Sequence, residues 1–197
     1  MGEGYLDPYF YPDAPVLRNR LNIKVAAALE IAEREIVVQR MRQGAVPTGE
    51  FDLAHLQNIH RYLFQDVYDW AGRVRTVEMN KGGSQFLFRK FIVAGMENTH
   101  LRLVRTNFLR GLTADKFADE AGLIMGDVNH VHPFREGNGR TQLQYLKQLG
   151  KRAGHEIDLT QLDRPAGLWI DASIASQDGN YGLMTRLIRN AIAGPAI

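Results

Sequence analysis

A segment of nine residues, 132–140, holds most of the side chains in this sequence that could do chemistry together. It reads HPFREGNGR and combines an imidazole, a carboxylate, two glycines around an asparagine, and an arginine. Apolar residues recur at helical spacing before it, over about residues 113–130, and after it, over about residues 139–152. The glycines therefore fall at the start of a helix, where unpaired N–H groups and the positive end of the dipole attract anions. This spacing predicts a phosphate-binding loop.

Several residue types in this segment suit a phosphate ligand. Glycines let backbone N–H groups approach a phosphate without a Cβ in the way. Arg140 places a planar cation on the first helical turn. Glu136 offers a hard oxygen ligand, for which a Mg²⁺ ion bridging phosphates is the usual partner. His132 is a histidine, a residue type whose unperturbed pKa of ~6.5 suits a general base, and Pro133 favours a break between helix and loop at this point.

Each of these features also has a commonplace interpretation. A lone histidine is usually structural, and Gly-Asn-Gly is usually a turn. Glu136 and Arg140 lie four residues apart and could form a helical ion pair worth roughly a few tenths of a kcal/mol. A simple turn, however, would have to contain all of these chemical groups, in this order, by accident. We therefore favour a functional site.

The segment HPFREGNGR resembles the Fic motif, HPFx(D/E)GN(G/K)R, and matches it at every fixed position. The resemblance extends from about Tyr11 to about Ile192. It implies a mainly α fold, a Fic-type helical bundle with one β-hairpin flap beside the active-site loop. Fic proteins with this Gly-Asn-Gly-Arg version are typically protein adenylyltransferases, which move AMP from ATP to a Ser, Thr or Tyr hydroxyl of a target protein.

The resemblance also implies a role for each motif residue. His132 is expected to be the catalytic base, and Glu136 to hold Mg²⁺ between the α- and β-phosphates of ATP. Arg140 is expected to hold the γ-phosphate, and Phe134 to anchor the loop in the core. The ATP phosphates are expected to lie against three consecutive residues: Gly137, Asn138 and Gly139.

Residues 74–88 give the most convincing strand pattern in the sequence. Val77 and Met79 alternate with polar residues, turn-forming residues follow, and Phe86 resumes the alternation. This predicts a β-hairpin whose outer edge is open to strand addition by another chain. In the Fic family such a hairpin is the flap that aligns the target segment. The flap residues expected to contact ATP or the target are Lys81 and Gly82.

Trp169 and Gln177 are the predicted adenine-binding residues. Trp169 could simply be a core residue, or it could offer a flat surface to a base. By resemblance to the family, the two residues border the adenine.

Composition excludes several other classes of protein. The chain has 197 residues, 45% of them hydrophobic, and a net charge of +2 from 24 basic and 22 acidic residues. This balance disfavours partners such as nucleic acid or a membrane surface. The chain contains no cysteine, which excludes a disulfide scaffold, a zinc–thiolate site and a thiol nucleophile. No apolar run approaches the ~18–20 residues of a membrane span. We expect a cytoplasmic protein, or one secreted into a host cell if it is an effector fragment.

The chain is predicted to be a single Fic domain over residues 1–197. Its first helix is expected to begin at Arg18 or Asn19 and to end at Gly44. His55 and His60, on the next helix, are interpreted as structural or surface residues. The other expected parts are an N-terminal arm at 1–17, a helix capped by Asp52, a helical segment at about 91–109, a helix-loop-helix carrying the motif at 113–152 and capped by Thr113, helices ending at about 176 and 193, and a tail or start of a linker at 194–197.

Many Fic proteins are inhibited by a helix with the pattern (S/T)xxxE(G/N), whose Glu pairs with the motif arginine and displaces the γ-phosphate. No Ser or Thr in this sequence has a Glu four residues later. We therefore expect a toxin-like or effector-type member whose inhibitor, if it has one, is a small helical antitoxin donating a Glu to Arg140.

Three alternatives remain open from the sequence. The same scaffold could transfer phosphocholine or phosphate instead of AMP, although Gly139 and Arg140 favour AMP. The chain could be a non-catalytic module that binds proteins through the flap edge, which the intact motif disfavours. It could also be a helix-turn-helix DNA-binding protein, which the balanced charge disfavours.

Overall fold

The computed structural model describes residues 7–81, 84–162 and 167–192. The described part is mainly α-helical, which confirms the predicted fold class. None of its helices is long and apolar enough to cross a membrane. In chain order the helices are α1 (Ala26–Arg42), α2 (Leu53–Phe64), α3 (Ile92–Arg105), α4 (Ala114–Val131), α5 (Asn138–Ala153), α6 (Leu159–Leu162), α7 (Leu168–Gln177) and α8 (Gly182–Ala191).

Helix α4 is the centre of the bundle and packs against α3, α5, α7 and α8. Its apolar side chains recur at helical spacing, and Phe117, Ile124 and Val128 are fully buried. Because α4 ends at Val131 and α5 begins at Asn138, the motif loop connects two helices that pack against each other. The bundle therefore fixes both ends of the loop.

Local capping residues set the start of two helices as predicted. The Asp52 carboxylate accepts a hydrogen bond from the His55 N–H at the start of α2, at 2.8 Å. Thr113 Oγ1 accepts from the Lys116 N–H at the start of α4, at 3.4 Å. Both bonds satisfy a backbone donor that has no partner within its helix.

The predicted start of the first helix is wrong. Helix α1 begins at Ala26, because the side chain of Asn19 stabilises a non-helical turn before it. Asn19 Nδ2 donates to the carbonyl oxygens of Leu17 and Ile23, at 2.9 and 2.7 Å, and Asn19 Oδ1 accepts from the Ile23 N–H. An Asn side chain that bonds to nearby backbone competes with helix formation in this way.

The helical pattern predicted over residues 91–109 is also interrupted. A 3₁₀ turn, Arg89–Phe91, leads into α3, and α3 ends at Arg105. A short turn at Asn107–Leu109 follows, in which all three residues have positive φ. Leu109 is fully buried there, so the turn places an apolar side chain in the core.

Two short antiparallel hairpins complete the described fold. In the N-terminal arm, β1 (Phe10–Tyr11) pairs with β2 (Ala14–Leu17). In the flap, β3 (Asn80–Lys81) pairs with β4 (Ser84–Gln85) in the register Asn80 to Gln85. The predicted flap hairpin is therefore present, but its strands are much shorter than the alternation over 74–88 suggested.

Candidate active site

A cavity of about 350 Å³ lies between the motif loop, the flap and α7. It brings together residues that are separated by up to about a hundred positions in the sequence. The predicted site residues that line it are His132, Glu136, Gly137, Asn138, Gly139, Trp169 and Gln177. Met79, Asn80 and Phe86, from the predicted flap, also line it. The lining residues to which the sequence had assigned no role are Asn129, Arg135, Gln142, Ile170, Ser173 and Ile174.

His132 caps the C-terminus of α4 in a left-handed backbone conformation, with φ +44°. Its Nδ1 lies 3.2 Å from the Asn129 carbonyl oxygen, and its ring stacks on Phe86 with the centroids 3.7 Å apart. A carbonyl oxygen can only accept, so the bond assigns the proton of a neutral imidazole to Nδ1 and the lone pair to Nε2. This is the tautomer that a general base acting through Nε2 requires.

Gly137 is the N-cap of α5 and has φ +81°. Its N–H donates to Glu136 Oε1, at 2.8 Å. A Cβ at Gly137 would lie 2.4 Å from the Phe64 ring, so both the backbone conformation and the packing require glycine. A Cβ at Gly139 would meet no atom within 4 Å, which leaves the first turn of α5 open to a ligand.

The side chain of Asn138 shapes the loop. Its Oδ1 accepts from the Phe134 N–H at 3.0 Å, and its Nδ2 donates to the Phe134 carbonyl oxygen at 2.7 Å. The carboxamide is thus committed to the loop backbone, and the part of Asn138 suited to a phosphate is its backbone N–H. Phe134 itself is fully buried, in agreement with its predicted role as the loop anchor.

His60 holds the loop from the core side. Its ring stacks on Phe134 with the centroids 4.0 Å apart, its Nε2 bonds to the Glu136 carbonyl oxygen, and the Gly72 N–H donates to its Nδ1. Burial lowers the pKa of His60 to about 4, so the imidazole is neutral near pH 7. The interpretation of His60 as a structural residue fits this position. Its contact with the motif had no signal in the sequence.

Arg140 is the one motif residue of the predicted site that does not line this cavity. Its Nη2 lies 2.5 Å from Glu33 Oε1 and 3.4 Å from Glu136 Oε1, and its guanidinium lies over the Phe64 ring. Glu33, on α1, is buried, and its other carboxylate oxygen accepts from the Tyr68 hydroxyl. A carboxylate of this chain therefore already pairs with the motif arginine.

Glu33 was not identified from the sequence because it fits an ordinary helical pattern. It lies 107 positions from Arg140 in the chain, beyond the reach of any local motif. Burial, followed by the nearby Glu33 carboxylate, raises the pKa of Tyr68 well above its ordinary value. The Tyr68 hydroxyl therefore remains a proton donor to Glu33.

The predicted flap contacts are only partly described. Lys81 is the second residue of β3, and nothing beyond its backbone is described. Gly82 lies outside the described residues. Met79 and Asn80, which precede the flap turn, line the cavity, as does Phe86 after it. The flap therefore forms one wall of the site.

The opposite wall is provided by α7 and the first turns of α5. Trp169 is 5% exposed, and Gln177 Oε1 lies 3.2 Å from His130 Nδ1. Gln142 is buried, and among the described residues its Nε2 has no hydrogen-bond partner.

Within the described part, no group of three or more His, Asp or Glu side chains could hold a metal ion by itself. Glu136 is 45% exposed at its side chain and lines the cavity. A Mg²⁺ ion here would therefore need ligands from a bound substrate, which is the usual arrangement for magnesium with phosphates.

This fold and loop define a protein of the Fic/DOC class. The Fic/DOC family model matches residues 50–149, and the chain belongs to that family. The family prediction made from the motif is therefore confirmed.

Curated relatives agree on the enzyme class. The chain is 41% identical over 189 residues to "Protein adenylyltransferase VbhT" of Bartonella schoenbuchensis. The aligned part covers 95% of this chain and 39% of that protein. The chain is 37% identical over 187 residues to "Probable protein adenylyltransferase y4lH" of Sinorhizobium fredii, and the aligned part covers 94% of this chain and 96% of that protein. The chain thus spans under half of VbhT but nearly all of y4lH. The predicted class, nucleotidyltransferase, is confirmed.

A solved relative carries a nucleotide. The structure of the BepC protein, a VirB-translocated effector of Bartonella tribocorum with bound AMPPNP, matches with a TM-score of 0.87 at 28% identity and covers 95% of this chain and 97% of that chain. This likeness supports ATP as the substrate of the fold.

Proposed function

We propose that this chain transfers AMP from ATP to the hydroxyl of a Ser, Thr or Tyr side chain on a target protein. One observation carries the proposal: the His132 imidazole and the glycine-rich start of α5 line the same cavity, and the flap forms its other wall. A base, a phosphate site and a docking edge are thus adjacent, which is what the transfer of a nucleotide to a protein requires.

The ATP phosphates would lie against the backbone N–H groups of Gly137, Asn138 and Gly139. Arg140 would hold the γ-phosphate. Both of its carboxylate contacts are made by Nη2, and a guanidinium has five N–H donors, so further donors remain for phosphate oxygens. Glu136 would hold Mg²⁺, which when bound neutralises charge on the α- and β-phosphates.

The reaction is a displacement at the α-phosphorus. The target hydroxyl oxygen forms a bond to that phosphorus, the bond to the bridging oxygen breaks, and pyrophosphate leaves. His132 accepts the hydroxyl proton at Nε2, and its Nδ1 stays fixed to the Asn129 carbonyl. Trp169 and Gln177 would border the adenine. Most of the catalytic effect then comes from positioning and charge, as in phosphoryl transfer generally.

The test is incubation with Mg²⁺, cell lysate and ATP labelled with ³²P at the α-phosphate, in parallel with His132→Ala. We expect a labelled protein band with the wild-type chain and its loss in the variant. ATP labelled at the γ-phosphate should give no band, because that phosphate leaves with pyrophosphate. A band from the γ-label alone would favour phosphate transfer, and ATP binding without any band would favour another donor or the non-catalytic module.

We also propose that a separate, antitoxin-like partner regulates the site by placing a Glu near Arg140. A second groove, lined by residues such as Leu17, Leu29 and Arg34, reaches Arg140 between the arm and α1, and a Glu of the partner would approach the arginine there. The place of action would be the cytoplasm of the producing cell, or a host cell if the chain is secreted. Normal growth of cells that express this chain alone, with transfer detectable, would contradict a toxin role.

A further inference from the structure

Arg75 is a cation buried completely beneath the flap. Its side chain is 0% exposed, and its guanidinium donates to the carbonyl oxygens of Val77, Leu87 and His132, at 2.7, 2.5 and 2.8 Å. The backbone N–H of Arg75 donates to the Pro133 carbonyl oxygen at 2.8 Å. A buried charge is costly unless it is hydrogen-bonded, and here neutral carbonyl oxygens provide most of the bonds.

These carbonyls belong to three different parts of the site. Val77 precedes β3 and Leu87 follows β4, so the guanidinium contacts both legs of the flap. His132 caps the C-terminus of α4. The Leu87 N–H donates to the His130 carbonyl oxygen at 2.9 Å, and the neighbouring Phe86 stacks on the His132 ring. The flap and the proposed base are therefore joined to each other through a small number of bonds.

Only arginine has the shape for this position. Its planar guanidinium carries five donors that point in different directions, and each of its three nitrogens reaches a different carbonyl here. A lysine would carry the same charge on one nitrogen and could not reach all three parts of the site. Among the described residues, the carboxylate paired with Arg75 is that of Glu78, with an oxygen 3.5 Å from Nη1 and a side chain that is 43% exposed.

We propose that Arg75 is a positioning residue that fixes the flap relative to His132, so that a target strand paired with the flap presents its hydroxyl to the imidazole. This inference deepens the proposed AMP transfer and rests on it for its functional consequence. Arg75 itself does not line the cavity, so its proposed role involves no direct contact with substrate.

The test compares Arg75→Lys with Arg73→Lys, the same substitution at an exposed position two residues earlier. Hydrogen exchange, binding of ATP and AMP transfer are measured for both. For Arg75→Lys we expect at least tenfold faster exchange of the Phe86 and Leu87 amides and at least tenfold slower transfer. The exchange of α5 amides and the dissociation constant for ATP should change by less than about twofold. Arg73→Lys should match the wild type throughout.

A structural role alone would give a different pattern. It would speed exchange across all helices together, or lower transfer and ATP binding in proportion, and either result overturns the proposal. If Arg75→Lys does not fold, Glu78→Gln removes the carboxylate beside the guanidinium and should speed exchange of the same two amides by a smaller factor; an unchanged rate there overturns the proposal. Hydrogen exchange needs no target protein. If the wild-type chain transfers no AMP, the proposed function is refuted, and the exchange rates of the Phe86 and Leu87 amides still test whether Arg75 fixes the flap.

Discussion

Gly139→Ala should separate the stability of the motif loop from its ability to bind ATP. Gly139 is the second residue of α5 and lines the cavity, and an added Cβ would meet no atom within 4 Å. The substitution therefore costs no packing. Alanine is favoured over glycine inside a helix by roughly 0.5–1 kcal/mol. We expect the melting temperature to rise by roughly 1–4 °C, given the usual 2–4 °C per kcal/mol for a chain of this size.

The same methyl group should weaken ATP binding. It would stand in the open space where we propose that the phosphates lie, and at least one N–H bond to a charged oxygen would be lost. Hydrogen bonds to charged groups contribute about 1.5–3 kcal/mol each. The dissociation constant for ATP should therefore rise roughly 10- to 150-fold, as measured by calorimetric titration with Mg²⁺ present.

Gly137→Ala is the matched control. It makes the same chemical change two residues earlier, where φ is +81° and the Cβ would lie 2.4 Å from the Phe64 ring. A left-handed conformation costs alanine about 1–2 kcal/mol, and overpacking costs about 1–3 kcal/mol more. This variant should have a lower melting temperature, opposite in sign to Gly139→Ala. Normal ATP affinity in a stabilised Gly139→Ala variant would show that the phosphates do not lie against α5.

Three further predictions follow from the residues behind the loop. Phe134→Ala removes a fully buried ring and should destabilise the fold by about 3–5 kcal/mol, and an unchanged melting temperature in calorimetry would contradict its role as anchor. Glu33→Gln removes a negative charge from Arg140 and should tighten ATP binding severalfold in titration, whereas weaker binding would mean that Glu33 mainly orients the arginine. The pKa of His60 is about 4 in the fold and ~6.5 when unfolded, so its contribution is complete above pH ~6.5 and is lost as the pH falls towards 4. The melting temperature should decrease over this range, and less steeply in His60→Gln.

The motif and the helix caps could be predicted because their information is local. His132 and Gly137 lie within one segment, and the chemistry of the loop follows from residue types at fixed spacing. Asp52 and Thr113 cap helices through bonds to residues three positions later. Each of these features can be recognised without knowing which distant parts of the chain come together.

The supporting residues could not be predicted, for the opposite reason. Glu33, His60 and Arg75 contact the motif across large sequence separations, and each has a residue type that is common on protein surfaces. Glu33 and Arg75 therefore had no signal in the sequence, and His60 was interpreted as a structural or surface residue. Only the fold shows that all three are buried against the same loop.

The short strands of the flap have the same origin. Alternation over residues 74–88 predicts a longer ladder, but the Val77 and Leu87 carbonyl oxygens bond to Arg75, and the Leu87 N–H bonds to His130. In a longer ladder these backbone groups would pair with the opposite strand of the hairpin. Here they bond to Arg75 and α4 instead. The periodicity correctly predicted a hairpin, and the bonds to Arg75 and α4 lie where its regular pairing ends.

The contacts behind the loop also explain the orientation of the Gly137 N–H. Arg75 binds the carbonyls of His132 and Pro133, and His60 binds the carbonyl of Glu136. In a trans peptide the carbonyl and the following N–H point in opposite directions. Holding the Glu136 carbonyl towards α2 therefore turns the Gly137 N–H away from the core, where it meets the Glu136 carboxylate beside the cavity. The backbone of the loop is therefore fixed in advance, as electrostatic catalysis requires, and only the Glu136 carboxylate has to release the Gly137 N–H when a phosphate arrives.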